Sequence, residues 1–290
     1  IMNTALKQLI NKTTQDQFWV TEDFKQAFGR LDMTSVDDVF AFGGGQELVK
    51  ANIASFRTRT VFDTSRPAST LFLKRYDQAP VTVQIKNWVQ GRKRRSNSMI
   101  ELEPMVKLAA LGIGVPRPVA HGQVWQGLFE TRSFLVTEKI PNAQSLEKQL
   151  PACFADKTQI NLKPQRDFLQ KLARFVKRFH ALGYRHRDLY LSHIFRNPQG
   201  DLFLIDLARA FEPRLRKERF LIKDLAQLHF SLPGHAFTRT DRLRLYLAYV
   251  EQTRLDACDK LFIKKLLAKV SRMTRHDLKR GKTVPYLDHA

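Results

Sequence analysis

The chain has 290 residues, 43% hydrophobic and 27% charged, with no low-complexity block; it can bury one large core or two lobes as a soluble globular protein. Lys and Arg number 49 against 28 Asp and Glu, and the net charge of +21 favours anionic partners such as nucleic acid, acidic headgroups or phosphorylated small molecules. Two cysteines, Cys153 and Cys258, exclude a disulfide framework and point to a reducing cytoplasm, and no apolar run reaches the roughly 18 residues of a membrane span.

In chain order, the first twenty residues lack the apolar core of a signal peptide. Residues 36–76 read as strands and turns. "SFRTRTVF" (55–62) alternates, with Phe56, Thr58, Thr60 and Phe62 on one side, and "STLFLKRY" (69–76) is a short apolar run ending in charge. The basic segment "QGRKRRSNS" (90–98) precedes a helix over about 98–111 that Gly112 closes. "GVPRPVAHG" (114–122) is extended because of its prolines, and "SFLVTEKI" (133–140) is a buried-strand pattern. Residues 164–183 form the strongest helix pattern: Phe168, Leu169, Leu172, Phe175, Val176 and Phe179 share one face, Pro164 opens it and Gly183 closes it. A strand "DLFLID" (201–206), a helix near 218–230 and two basic helices near 240–254 and 256–271 follow. A β-rich first half with one main helix, then a helical second half, is the order of a two-lobed kinase. The expected class is α+β, with a small antiparallel-sheet N-lobe and a larger helical C-lobe.

Phosphoryl transfer from ATP needs a cation on the phosphates, acidic groups for metal and a carboxylate that orients the acceptor hydroxyl. Lys74, near the end of "LFLKRY", is either the phosphate-binding lysine of an inward strand or a strand-end surface lysine. Glu101 opens the next helix and can fix that lysine; it can equally complete a capping box with Ser98. Pro104 lies inside this helix if it starts at Ser98, or in its first turn if it starts near Glu103, so Glu103 is a second candidate behind Glu101. Asp188, in "YRHRDLYLSHIF" (184–195), is the candidate for accepting the hydroxyl proton, or the cap of a turn. Asp206 follows it by 18 residues in "LFLIDLARA", where an acid next to the loop binds Mg2+. His193 stands five residues after Asp188, where a protein kinase has a metal-binding Asn; it reads as a softer, pH-sensitive metal ligand or as a structural histidine bonded to backbone. Asp224 in "FLIKDLAQL" reads as a brace for the loop backbone or as an acid near a helix N-terminus. The expected phosphate-covering turn is "ANIAS" (51–55), with the triplet in "FGGGQE" (42–47) a flexible lead-in.

"HRDLYLSHIF" with "LIDLARA" resembles the Kdo/WaaP lipopolysaccharide kinase family, bacterial enzymes that phosphorylate inner-core sugars on a protein-kinase-like fold. The likeness extends over "LFLKRY", "IELEPMVKLAALGIGVPRPVAHG", "SFLVTEKI", the 164–184 helix, "IKDLAQLHFS" and "TRTDRLRLYLAYV", most of residues 45–255. Related small-molecule kinases carry a loop like H-G-D-x-x-x-x-N instead. The resemblance implies ATP and Mg2+ as cofactors, Lys74 as the ATP lysine with Glu101 its partner, Asp188 as catalytic acid/base, and His193 and Asp206 at the metal. Glu138 and Ile140 would offer backbone groups to adenine with Thr137 at the back of the pocket, and His186 and Asp224 would support the loop. It implies an N-terminal extension over 1–35, an N-lobe over 36–140 and a C-lobe over 141–290. "DLA" for a family-like "DLH", Pro104 and the extra basic run 91–95 depart from the pattern and bear on the substrate more than on the reaction.

The implied acceptor is a Kdo or heptose hydroxyl of a lipopolysaccharide core or lipid A precursor, met at the cytoplasmic face of the inner membrane by a peripheral enzyme. The basic runs 91–95, 214–219 and 272–282 then suit an anionic bilayer, at about 1 kcal/mol per basic residue near the surface, or the anionic groups of the core; any one of them alone is an ordinary solvated face. The competing readings are a kinase of soluble small molecules or proteins, and a pseudokinase or basic binding module. No aromatic RNP stretch or zinc-finger spacing supports specific nucleic-acid binding. The sequence does not speak to oligomeric state.

Overall fold

The computed structural model describes residues 14–49, 54–91, 93–154 and 163–287. They fall into two compact units, Ile1–Pro141 and Asn142–Ala290.

The first unit runs β1 (Gln17–Val20), α1 (Lys25–Arg30), α2 (Val36–Ala41), β2 (Gln46–Glu47), β3 (Arg57–Ser65), β4 (Ala68–Asp77), α3 (Val81–Gly91), α4 (Asn97–Ala110), β5 (Pro118–Gln126) and β6 (Phe129–Glu138). The strands form a six-stranded antiparallel sheet in the order β1-β5-β6-β4-β3-β2. Alternation in β3 does what its period demands: Thr60, Phe62 and Thr64 are buried, and the residues between them are not. Phe62 joins Leu71, Leu73, Phe134 and Val136 in a core that Phe24, Phe28 and Met33 of the N-terminal segment complete. β1 is too short to announce itself, yet it pairs along β5 from Gln17↔Gln123 to Val20↔Ala120.

Two local expectations change. The cap of α4 is Ser96, whose Oγ accepts the Met99 N–H, and not Ser98. Ser98 is already helical, and its hydroxyl meets His121 instead. Pro104 lies in the helix interior, where it removes one backbone bond. The glycine triplet is also more than a flexible lead-in: Gly45 has φ +86, and a Cβ there would stand 2.4 Å from the Val61 carbonyl, so only glycine lets this backbone lie against β3. Residues 51–53 of the expected phosphate-covering turn lie outside the described residues.

The second unit runs β7 (Gln144–Ser145), α5 (Leu146–Cys153), α6 (Lys163–Ala181), β8 (Ile194–Arg196), β9 (Leu202–Leu204), α7 (Lys217–Ser231), α8 (Arg239–Val250) and α9 (Ala257–Leu278). The predicted face of α6 is buried in full, from Phe168 to Phe179, and Gly183 follows the helix with φ 88. α6 packs on α8, and α7 on α9. Reciprocal capping boxes start α8 (Thr238 with Asp241) and α9 (Asp256 with Asp259). α9 runs to Leu278, past the predicted end near 271. Among the described residues no helix is long and apolar enough to cross a membrane.

Candidate active site

Lys74 sits in β4 between Arg59 of β3 and Leu135 of β6. Its Nζ lies 2.5 Å from Oε1 of Glu101, with side-chain exposures of 15% and 2%. The other Glu101 oxygen is buried with no hydrogen-bond partner among the described residues. Glu103 faces a different cation set: Arg95 at 2.7 Å, Lys107 at 2.9 Å and Lys93 at 3.9 Å. Burial pushes the Glu103 carboxyl up, but Lys107, Arg95 and Lys93 outweigh it and hold the group below the usual carboxylate range. Two residues along a helix thus separate a pair with Lys74 from a pair with the basic segment.

The first turn of α4, which carries Glu101, is held by a buried polar network that the sequence does not reveal. Glu130 of β6 accepts from the Asn97 backbone N–H (2.7 Å) and side-chain amide (2.9 Å). Its other oxygen accepts from the Ser133 hydroxyl, which itself accepts the Ser98 N–H. The Ser96 hydroxyl donates to Gln123, and the Ser98 hydroxyl meets His121 Nε2. Burial pushes Glu130 up to about 7 and His121 down to about 3. The network ties α4 to the β5–β6 hairpin, and only "SNS" at 96–98, dense in small polar residues, hinted at it.

Thr137 is buried near the end of β6. The Glu138 N–H donates to the Arg117 carbonyl and its carboxylate accepts from Ser69, while Ile140 is buried just beyond.

In the second unit the loop around Asp188 is irregular and tightly braced. Arg187 (φ 69) and Asp206 (φ 57) both adopt the left-handed conformation, which costs a non-glycine residue on the order of 1 kcal/mol or more. One face of α7 holds the loop: Asp224 accepts from the His186 and Arg187 N–H groups at 2.7 Å each, Gln227 from Leu189 at 3.1 Å and Ser231 from Leu191 at 3.0 Å. These positions are i, i+3 and i+7, so one helix stripe reaches successive loop amides. Asp224 lies within α7, not at its start, so the reading of it as a helix N-terminal acid falls. It is fully buried, and His180 Nε2 stands 3.3 Å away.

His186 Nε2 bonds the Ile205 carbonyl at 3.0 Å, linking the loop to the backbone just ahead of Asp206. His193 Nδ1 meets the Asp188 carbonyl at 2.7 Å, and its ring stacks on His186 with centroids 5.8 Å apart. A carbonyl only accepts, so Nδ1 is the donor of this bond and Nε2 is the ring nitrogen left to face other partners. The Asp188 carboxylate is itself met by Arg209 Nη1 at 2.7 and 2.9 Å, with Lys223 Nζ at 3.9 Å. Lys223 also donates to the Arg187 carbonyl. Arg209, Lys223, Gln227 and Ser231 carried no signal of their own in the sequence. Among the described residues no group of three or more His, Cys, Asp or Glu forms a ready-made metal cage.

The profile described as the lipopolysaccharide kinase (Kdo/WaaP) family matches residues 54–249. Lipopolysaccharide core heptose(I) kinase WaaP of Escherichia coli K12 is 25% identical over 213 residues, 70% of this chain and 80% of that protein. A 3-deoxy-D-manno-octulosonic acid kinase of Xanthomonas campestris pv. campestris is 32% identical over 163 residues, 53% of this chain and 60% of that protein. A solved structure of WaaP in complex with acyl carrier protein aligns over 90% of this chain and 98% of its own, with a TM-score of 0.63 at 21% identity. That likeness concerns the fold, and the expected two-lobed kinase-like class holds.

Proposed function

Since the chain belongs to the lipopolysaccharide kinase (Kdo/WaaP) family, phosphotransferases with an alcohol group as acceptor, we propose that it transfers the γ-phosphoryl group of ATP to a hydroxyl of a heptose or Kdo of the lipopolysaccharide inner core, working at the cytoplasmic face of the inner membrane. The observation that carries this reading is the sealed Lys74–Glu101 pair. A buried carboxylate holding a strand lysine gives a fixed cation, and Glu101 takes one of the lysine's three N–H donors, leaving others for phosphate oxygens.

In this reading Thr137 lines the back of the adenine pocket, and adenine meets the Glu138 carbonyl and the Ile140 N–H; the Glu138 N–H is already engaged. Asp188 orients the acceptor hydroxyl. As the oxygen–phosphorus bond forms and the bond to the ADP oxygen breaks, the hydroxyl proton passes to Asp188. The hydroxyl competes with Arg209 for the same carboxylate oxygens, so Arg209 yields as the acceptor docks.

Asp206 and Nε2 of His193 would hold Mg2+, which supplies charge neutralisation to the phosphate oxygens when bound. The carboxylate is an ordinary oxygen ligand for Mg2+ and the imidazole a softer, less usual one, with waters and phosphate oxygens to take the remaining positions. His186 and Asp224 keep the loop in place.

The test is transfer of labelled phosphate from ATP to purified core lipopolysaccharide from a strain lacking this gene, with mass spectrometry of the product. Transfer to the core supports the proposal. Transfer only to free sugars or peptides makes the chain a kinase of soluble acceptors, and absence of a thermal shift with Mg-ATP across metals and pH makes it a pseudokinase.

A further inference from the structure

Helix α3 has no part in the chemistry above, and the sequence did not announce it. Its inner side is fixed. Gln84 is buried and exchanges hydrogen bonds with the Glu130 backbone, and Trp88 stacks on Phe129 at 5.5 Å while donating to the Arg95 carbonyl. Thr82, Lys86 and Gln90 are exposed on its outer side, and beside them runs an apolar stripe: Val81 is 45% exposed, Ile85 44% and Val89 72%. The spacing i, i+4, i+8 puts them on one stripe. Leu128, beside Phe129 in the β5–β6 turn, is 62% exposed. A surface helix normally turns its charged side to water and its apolar side inward, so this stripe has the wrong sign for a face that only water touches.

The stretch of sequence that carries it has charge of one sign, and Glu103 of α4 takes up Arg95 at 2.7 Å and approaches Lys93 at 3.9 Å. Between Asp77 and Glu101 the sequence holds Lys86, Arg92, Lys93, Arg94 and Arg95 and no Asp or Glu. Lys86 and Lys93 are exposed, and the Arg94 guanidinium lies over the Trp125 ring at 5.2 Å, with Trp125 stacked on Trp88. An apolar stripe, aromatic rings and the exposed cations Lys86 and Lys93 in one place suit the boundary of an anionic bilayer, where apolar side chains reach the acyl region and cations meet headgroup phosphates. A nucleic acid would use the cations and leave the stripe in water.

We propose that α3 and the basic segment after it form a docking surface for an anionic lipid bilayer, entered by Val81, Ile85 and Val89. This deepens the membrane-face reading given above, and its test does not use the kinase reaction. Flotation is measured with vesicles of phosphatidylcholine alone and with added phosphatidylglycerol, for the wild type and for the triple variant Val81→Ser, Ile85→Ser, Val89→Ser, with melting curves to verify that both are folded. The wild type is expected to float with the anionic vesicles, and the triple variant to partition about tenfold or more weakly. Replacing Lys86 and Lys93 by Gln should weaken binding to the anionic vesicles alone. Equal flotation of wild type and triple variant overturns the proposal, as does a wild type that ignores anionic vesicles. A wild-type dimer in sedimentation that the triple variant turns into monomer also overturns it, in favour of a second copy on this face. Transfer to a soluble, deacylated core oligosaccharide should be unchanged in the triple variant. If no form transfers phosphate there, the sugar-kinase reading fails, and flotation still decides the docking surface.

Discussion

The two units hold their charged groups by opposite means. In the first, Lys74 and Glu101 lie on regular structure, a central strand and a helix, and are sealed by burial. In the second, Asp188 and Asp206 lie on irregular backbone, two residues of it left-handed, and α7 captures the amides one by one. Regular structure places a side chain by register, so its weak point is an uncompensated buried charge. A braced loop places a side chain by hydrogen bonds, so its weak point is the brace.

The contrast can be broken at either end. The largest effect is expected from Asp206→Asn, which keeps the left-handed backbone accessible but removes the carboxylate: phosphate transfer should fall about 1000-fold or more with an unchanged Tm. Lys74→Met should abolish most transfer and also lower stability by about 3 kcal/mol, because Glu101 stays buried without its cation. The double variant with Glu101→Gln should recover much of that stability and none of the activity. Urea unfolding separates the two effects.

Asp224→Ala should cost on the order of 3 kcal/mol, since it strands the His186 and Arg187 amides and the His180 contact, and should raise amide exchange across 186–191 while leaving α4 alone. Smaller is a pH effect that Glu130 places in the first unit. The folded-state pKa of Glu130 is raised to about 7, so the native state holds the proton that the unfolded chain gives up. Its contribution is therefore fully present below about 4.5 and is lost as pH rises towards about 7, on the order of 2–3 kcal/mol. His121 acts in the opposite sense: lowered to about 3, it withdraws stability as pH falls below about 6.5. Glu130→Gln should remove the loss on the alkaline side and leave the acid-side slope, to which His121 and the buried His180, His186 and His229 of the second unit contribute in the same sense, as read from denaturation midpoints across this range.

Legibility in the sequence follows the same division. The α6 face, the alternation of β3 and the Lys74 strand are periodic and local, so the sequence reveals them. The sequence left Glu101 ahead of Glu103 without separating them, and it is the Glu101 carboxylate that meets Lys74 while Glu103 meets Arg95. What stayed hidden is long-range or degenerate. Ser96 and Ser98 are equivalent as caps until His121 claims one of them. Gln227 and Ser231 look like ordinary helix residues until the loop amides arrive, and Glu130 reads as a surface acid of a strand. β1 has four residues and no periodicity to speak for it, and it is a strand only because β5 is there to pair with.

The central claim is that Asp188 receives the acceptor proton. It is tested most directly by comparing the wild type and Asp188→Ala in ATP-dependent phosphate transfer to purified core lipopolysaccharide. The variant leaves Arg209, half-exposed, without its carboxylate and should keep its fold and Tm. Transfer is predicted to fall about 1000-fold or more. A folded Asp188→Ala variant that works within about tenfold of the wild type would contradict the account.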